Sequence, residues 1–196
     1  MQLASKTFAA YGGELAEKLL AALASDRLVA RFVDSYVAEF GRKGLKADAS
    51  GYRELLYTLG REALLVMAAQ VHAELPGYLT ERRPAVLRGS QVQAAQAFFE
   101  EFLSAVASTL RWMPEDAEEF RRDLDLYMQL GARVPLPKKH RKPTDPAEGP
   151  FVDRCALLLD PSMLENGRRA AGKFLLELER VTQKALASVF ASRRQR

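Results

Sequence analysis

Apolar residues recur every three to four positions along most of the chain, and strand-length period-two alternation is nearly absent. The pattern therefore predicts helices almost throughout. The first covers about residues 3–24, in one piece or two, because Gly12 and Gly13 interrupt it while Leu15, Leu19 and Leu23 continue its stripe. Ser25 and Asp26 offer side chains that can cap a second helix, whose wide apolar face is Leu28, Val29, Phe32, Val33, Tyr36, Val37 and Phe40. Gly41 and Gly44 then supply the left-handed stop common at helix C-termini.

A long third helix is expected over about 51–75, ended by Pro76 and Gly77 and followed by a breaker-rich stretch to Gly89. Ser90 reads as the cap of a helix reaching Met113. Its seam of Val92, Ala95, Phe99, Phe102, Val106, Leu110 and Met113 has heptad-like spacing. Pro114 suits the first turn of the next helix, and Glu115 and Asp116 suit its positive end. That helix carries Phe120, Leu124, Tyr127 and Met128 and stops at Gly131. Residues 133–150 hold five of the nine prolines and cannot be regular helix. A short helix over 151–159 follows, then a final one from Asp160, Pro161 and Ser162 to about residue 192. The buried side of that last helix reads Leu164, Ala171, Phe174, Leu175, Leu178, Val181, Ala185 and Val189.

These elements predict an all-α helical bundle of about six or seven helices, with a proline-rich loop before the last two. One domain over 1–196 is expected: a main bundle at 1–131, a basic proline-rich loop at 132–150, and C-terminal helices at 151–196. The last part is too apolar to stand alone and must pack back on the bundle or on a second subunit.

Composition narrows the class. A chain of 196 residues, 48% hydrophobic and 28% charged, can bury a core and is not wholesale disordered. Its one cysteine excludes an intrachain disulfide framework and multi-cysteine metal sites. No run of about 18 apolar residues exists to span a membrane. The N-terminal stretch lacks the basic-then-apolar layout of a secretory signal, so a soluble, cytoplasmic protein is the expectation.

The net charge of +4 hides a segregation. Residues 1–80 carry nine basic and nine acidic side chains, residues 100–131 three basic and eight acidic, and residues 132–196 fourteen basic and seven acidic. Either the acidic helix and the basic C-terminal third face each other and neutralise, the favoured expectation, or they mark a partner surface.

Candidate chemistry is sparse. The basic run Lys138, Lys139, His140, Arg141 and Lys142 can contact an acidic protein partner. It lacks the aromatic interleaving and neighbouring recognition helix that nucleic acid would favour, so nucleic acid is disfavoured. Arg82, Arg83, Arg88 and Ser90 precede a helix start and form a weak candidate anion site. His72 and His140 have no Glu-x-x-His or His-x-x-x-His spacing, so neither a metal nor any other cofactor is expected. His72 reads as half-buried near a helix end. Cys155, among Phe151, Val152, Leu158 and Leu159, reads as an inert buried thiol. Asp116, Glu119 and Asp123 share a helix face that reads as solvated, with Arg121 and Arg122 pairing along the helix. Trp112 is expected to pack under the elbow before Pro114.

No nucleophile, acid–base pair or phosphate loop is visible, so no catalytic residue is assigned. The leading expectation is a non-enzymatic helical interaction or scaffold module with a protein partner, its own second copy included as a homodimer. The alternative is a small-molecule-binding bundle whose apolar pocket draws on Tyr52, Tyr57, Phe98, Phe99, Phe102 and Trp112.

Overall fold

A computed structural model describes residues 2–25, 27–41, 49–80, 87–129, 151, 152, 155 and 161–191 of the chain. Among them the all-α class holds, with no strand. The elements are α1 (Gln2–Ser25), α2 (Leu28–Phe40), α3 (Ala49–Thr80), α4 (Ser90–Leu110) and α5 (Pro114–Gln129). A 3₁₀ turn (Pro161–Met163) leads into α6 (Leu164–Ala191). Phe151, Val152 and Cys155 are helical and buried. The proline-rich loop over 132–150 lies outside the described residues, so the number of helices in the whole chain is left open.

α3 is the central helix. Every residue from Glu62 to Val71 is buried, the all-round burial expected of a helix surrounded by others. It packs against α2, α4, α5 and α6, while α6 also lies along α1 and α2 of its own chain. Two aromatic clusters hold the ends. Phe32 of α2 stacks on Phe174 of α6 at 4.3 Å between ring centres, with Phe151 beside both. At the other end Phe190 of α6 packs against Tyr78 and Phe98, at 5.1 and 5.8 Å.

The closest pairing is α1 against α4, and it explains a departure from the pattern. α1 is one continuous helix through Gly12 and Gly13, not two. A β-carbon on Gly12 would strike the Phe98 carbonyl of α4 and lie 3.0 Å from the Phe102 amide nitrogen. Gly12 thus serves a backbone crossing rather than a helix break.

The same crossing rotates α4 from its expected seam. The buried residues are Ala94, Phe98, Phe102, Leu103 and Val106, whereas Val92, Leu110 and Met113 are exposed. A strict heptad drifts around a 3.6-residue helix, and contact with α1 settles which face turns inward. α4 also starts differently: Gly89, with φ 52°, is its N-cap, and Ser90 is already helical and exposed. It ends at Leu110, where Arg111 takes a left-handed conformation.

Other boundaries move for identifiable reasons. α3 does not stop at Pro76 but continues to Thr80, whose hydroxyl donates to the Pro76 carbonyl at 2.8 Å. Burial of Leu75 and packing of Tyr78 and Leu79 against the core hold this extra turn despite the missing proline N–H. At the start of α2, Arg27 rather than Ser25 or Asp26 is the N-cap, with φ 48° and no side-chain cap bond. Gly41 follows α2 in an extended rather than left-handed conformation. In α6, Leu164 is exposed while Gly167, Thr182 and Leu186 join the buried side. The Thr182 hydroxyl is satisfied by donating to the Leu178 carbonyl at 2.9 Å.

Candidate functional site, an acidic-edged apolar groove

A cavity of about 860 Å³ is an open groove bounded by the second half of α1, the middle of α3 and the elbow joining α4 to α5. Leu20, Leu23 and Ala24 come from α1, Leu56, Tyr57, Gly60 and Leu64 from α3, and Leu110 and Trp112 from the elbow. Val29 of α2 closes one side. Most of these residues follow helical spacing on their own elements, so the apolar floor is made of helix faces turned toward one another. Tyr57 is 64% exposed and Leu110 42%.

Gly60 is the odd residue in this floor. It sits inside the 32-residue α3, where glycine is about 1 kcal/mol worse than alanine. Unlike Gly12, it has no described residue within 4 Å of where its β-carbon would be. Among the described residues no packing contact accounts for the missing side chain, and its absence leaves space in the groove floor.

Charge frames the floor. Arg61 is held by Asp123 at 2.5 Å and Glu119 at 3.5 Å, and its guanidinium lies 5.9 Å from the Phe120 ring centre. Among the described residues the remaining charged lining groups are Glu17 of α1 and Asp116 of α5. Asp116 also accepts the Met113 N–H at 3.1 Å, which fixes the elbow. The expected solvated face of Asp116, Glu119 and Asp123 is therefore partly a clamp on Arg61. Arg121 reaches beyond its own helix, in addition to the attraction of Asp125 one turn on. It makes a bidentate bridge to Glu100 of α4, at 3.1 and 2.7 Å, and this pair holds the Glu100 carboxyl below its ordinary value. Among the described residues these α5 side chains pair with α3 and α4; the basic loop expected to face them lies outside the described residues.

The predicted pocket aromatics separate. Tyr57 and Trp112 line the groove, and Trp112 is half-buried under the elbow against Phe120, 4.8 Å between ring centres. Phe98 and Phe102 are fully buried core. Phe99 packs on Phe102 and against the ring of His72, whose partial burial lowers its pKa. Tyr52 donates its hydroxyl to Asp34 of α2 at 2.5 Å. Arg88 and Ser90 are exposed at the start of α4; Arg82 and Arg83, like Lys138, Lys139, His140, Arg141 and Lys142, lie outside the described residues. Gly60, Arg61 and Glu17 escape a reading of the sequence, and the one available signal is a glycine inside an otherwise strong helical pattern.

Elsewhere, Cys155 is fully buried and burial pushes its thiol pKa up. Glu62, also buried, accepts a hydrogen bond from the Tyr127 hydroxyl. Among the described residues no cluster of three or more histidine, cysteine or carboxylate side chains could hold a metal. None of the described helices is long and apolar enough to cross a membrane. Two smaller clefts between α2 and α6, about 500 and 390 Å³, share Phe32 and Lys173, and Glu39 or Glu177 contributes a carboxylate to each. Comparison with protein-family models, curated proteins and solved structures finds no match to this chain, so the functional reading rests on the groove itself.

Proposed function

We propose that the protein is a non-enzymatic helical binding module whose working surface is the groove between α1, α3 and the α4–α5 elbow, used to hold an apolar segment of a protein partner. The observation that carries the reading is Gly60: a mid-helix glycine with room for a side chain, at the floor of an apolar cavity of about 860 Å³. The exposed Tyr57 and Leu110 give a partner hydrophobic surface to cover.

A small-molecule ligand is the second reading, favoured by a volume within the range of such sites, about 300–1,000 Å³. The Gly60→Leu variant separates function from accident, because it extends a side chain into the groove from a position where a β-carbon meets none of the described residues. Wild type and variant are compared for proteins retained from the source cell extract, and for small molecules extracted into organic solvent. Proteins retained by the wild type and lost by the variant support the interaction module. A stoichiometric small molecule lost by the variant favours the second reading. Identical profiles for the two proteins overturn both.

A further inference from the structure

We infer that the segment held in this groove is an amphipathic helix carrying lysines or arginines on both flanks of its apolar stripe. The inference rests on the groove being a protein-binding site and adds the conformation and charge of the occupant.

Conformation follows from the walls. Apart from Trp112 in the elbow, the described lining of the groove is helical, and a helix's backbone donors and acceptors are already paired internally. An extended peptide would find no strand edge among the described residues and would bury unpaired amides and carbonyls. A helix brings its own hydrogen bonds and offers only side chains. The floor runs from Leu56 to Leu64 along α3, about 12 Å at 1.5 Å per residue. That accommodates about two turns, or apolar anchors at i, i+3 or i+4, and i+7.

Charge follows from the edges. Glu17 stands on the α1 side and Asp116 on the elbow side. The cation in the lining, Arg61, is already opposed by Glu119 and Asp123. Among the described lining residues the one cation, Arg61, is thus already neutralised while Glu17 and Asp116 stand at the two edges, and Glu115 and Glu118 on the exposed face of α5 extend the acidic sign on the elbow side. Basic flanks on the incoming helix complement this field, whereas acidic flanks meet like charge on both sides. The long alkyl stems of lysine or arginine also cover the apolar rim while their heads reach the carboxylates.

The test uses Trp112, the single tryptophan of the chain, which lies in the groove. Its fluorescence is followed during titration with a helical peptide of about 18 residues. The peptide has a leucine stripe at the spacing above and lysine flanks; a twin carries glutamate flanks. The expected result is saturable binding of the lysine peptide, roughly tenfold or more tighter than the twin at low ionic strength, with the difference shrinking as salt is added. Glu17→Arg, an exposed substitution on α1, should narrow that difference. Equal binding of both peptides, abolished by Gly60→Leu, overturns the charge assignment and leaves the protein-binding groove standing. Binding of neither peptide, or binding that survives Gly60→Leu, overturns the occupant and the protein-binding reading together. Circular dichroism of each variant confirms that the bundle is folded in every arm.

Discussion

Gly12 of α1 and Phe98 of α4 meet backbone to backbone, with no room for a β-carbon between the Gly12 α-carbon and the Phe98 carbonyl. Glycine thereby sets the distance at which the two helices cross, and that distance fixes which face of α4 enters the core. Phe98 and Phe102 are both fully buried as a result.

Adjacent glycines should therefore behave oppositely. Gly12→Ala forces the helices apart and should destabilise by about 3 kcal/mol, the upper part of the range for overpacked cores. At Gly13 the nearest atom is the Glu101 Cγ at 3.8 Å, so Gly13→Ala should be neutral or stabilise by up to about 1 kcal/mol. Urea denaturation of both variants checks the contrast, and equal effects would remove Gly12 from its role at the crossing.

Gly60→Ala tests the groove floor without blocking it as a larger side chain would. With no described residue within 4 Å of the new methyl, the gain in helix propensity should stabilise the protein by about 0.5–1 kcal/mol. A loss of stability in thermal or denaturant unfolding would show that the floor is occupied in solution by something the described residues do not account for.

The Glu100–Arg121 bridge ties α5 to α4 and gives a small acid-side signature. Because the arginine lowers the Glu100 pKa in the folded protein, the unfolded chain takes up that proton first on acidification. The contribution of the pair is complete above the ordinary carboxylate range and fades as pH falls through that range to the lowered folded value. Both groups are largely exposed, so the difference between wild type and Glu100→Gln should be under about 1 kcal/mol at pH 7 and vanish at low pH. Stability measured against pH for the two proteins checks this, and a difference that grows on acidification contradicts it.

Cys155 offers a probe of opening. It is fully buried, and burial raises its thiol pKa, so little thiolate forms and none of it is accessible. A thiol-reactive dye should label the native protein orders of magnitude more slowly than the denatured one, at a rate that rises with denaturant. Rapid labelling of the native protein would place the thiol at the surface.

How much of this was legible in the sequence can be read from particular residues. Helical class, the α2 face from Leu28 to Phe40, the start of α5 at Pro114 and the burial of Cys155 follow from local patterning, because spacing and propensity act within a few residues. The seam of α4 did not follow, since Phe98 and Phe99 both suit an apolar stripe and only the crossing at Gly12 decides between them. Pro76 looked like a stop because local chemistry makes it one, yet packing of Tyr78 and Leu79 on the core carries α3 past it.

The site shows the same division. Alternating charge along α5 was visible in the sequence, but its pairing with Arg61 of α3 and Glu100 of α4 joins residues far apart in the chain. Trp112 could be placed under an elbow; its position at the edge of a groove needs α1 and α3 to be set beside it. By itself the sequence determined that this protein is helical, which residues can be apolar neighbours along each helix, and that no familiar catalytic motif is present. Only the tertiary structure decided which apolar faces are buried and which remain open, because that depends on how closely separate helices can approach. Gly12 lets two helices touch, and Gly60 leaves a space between others.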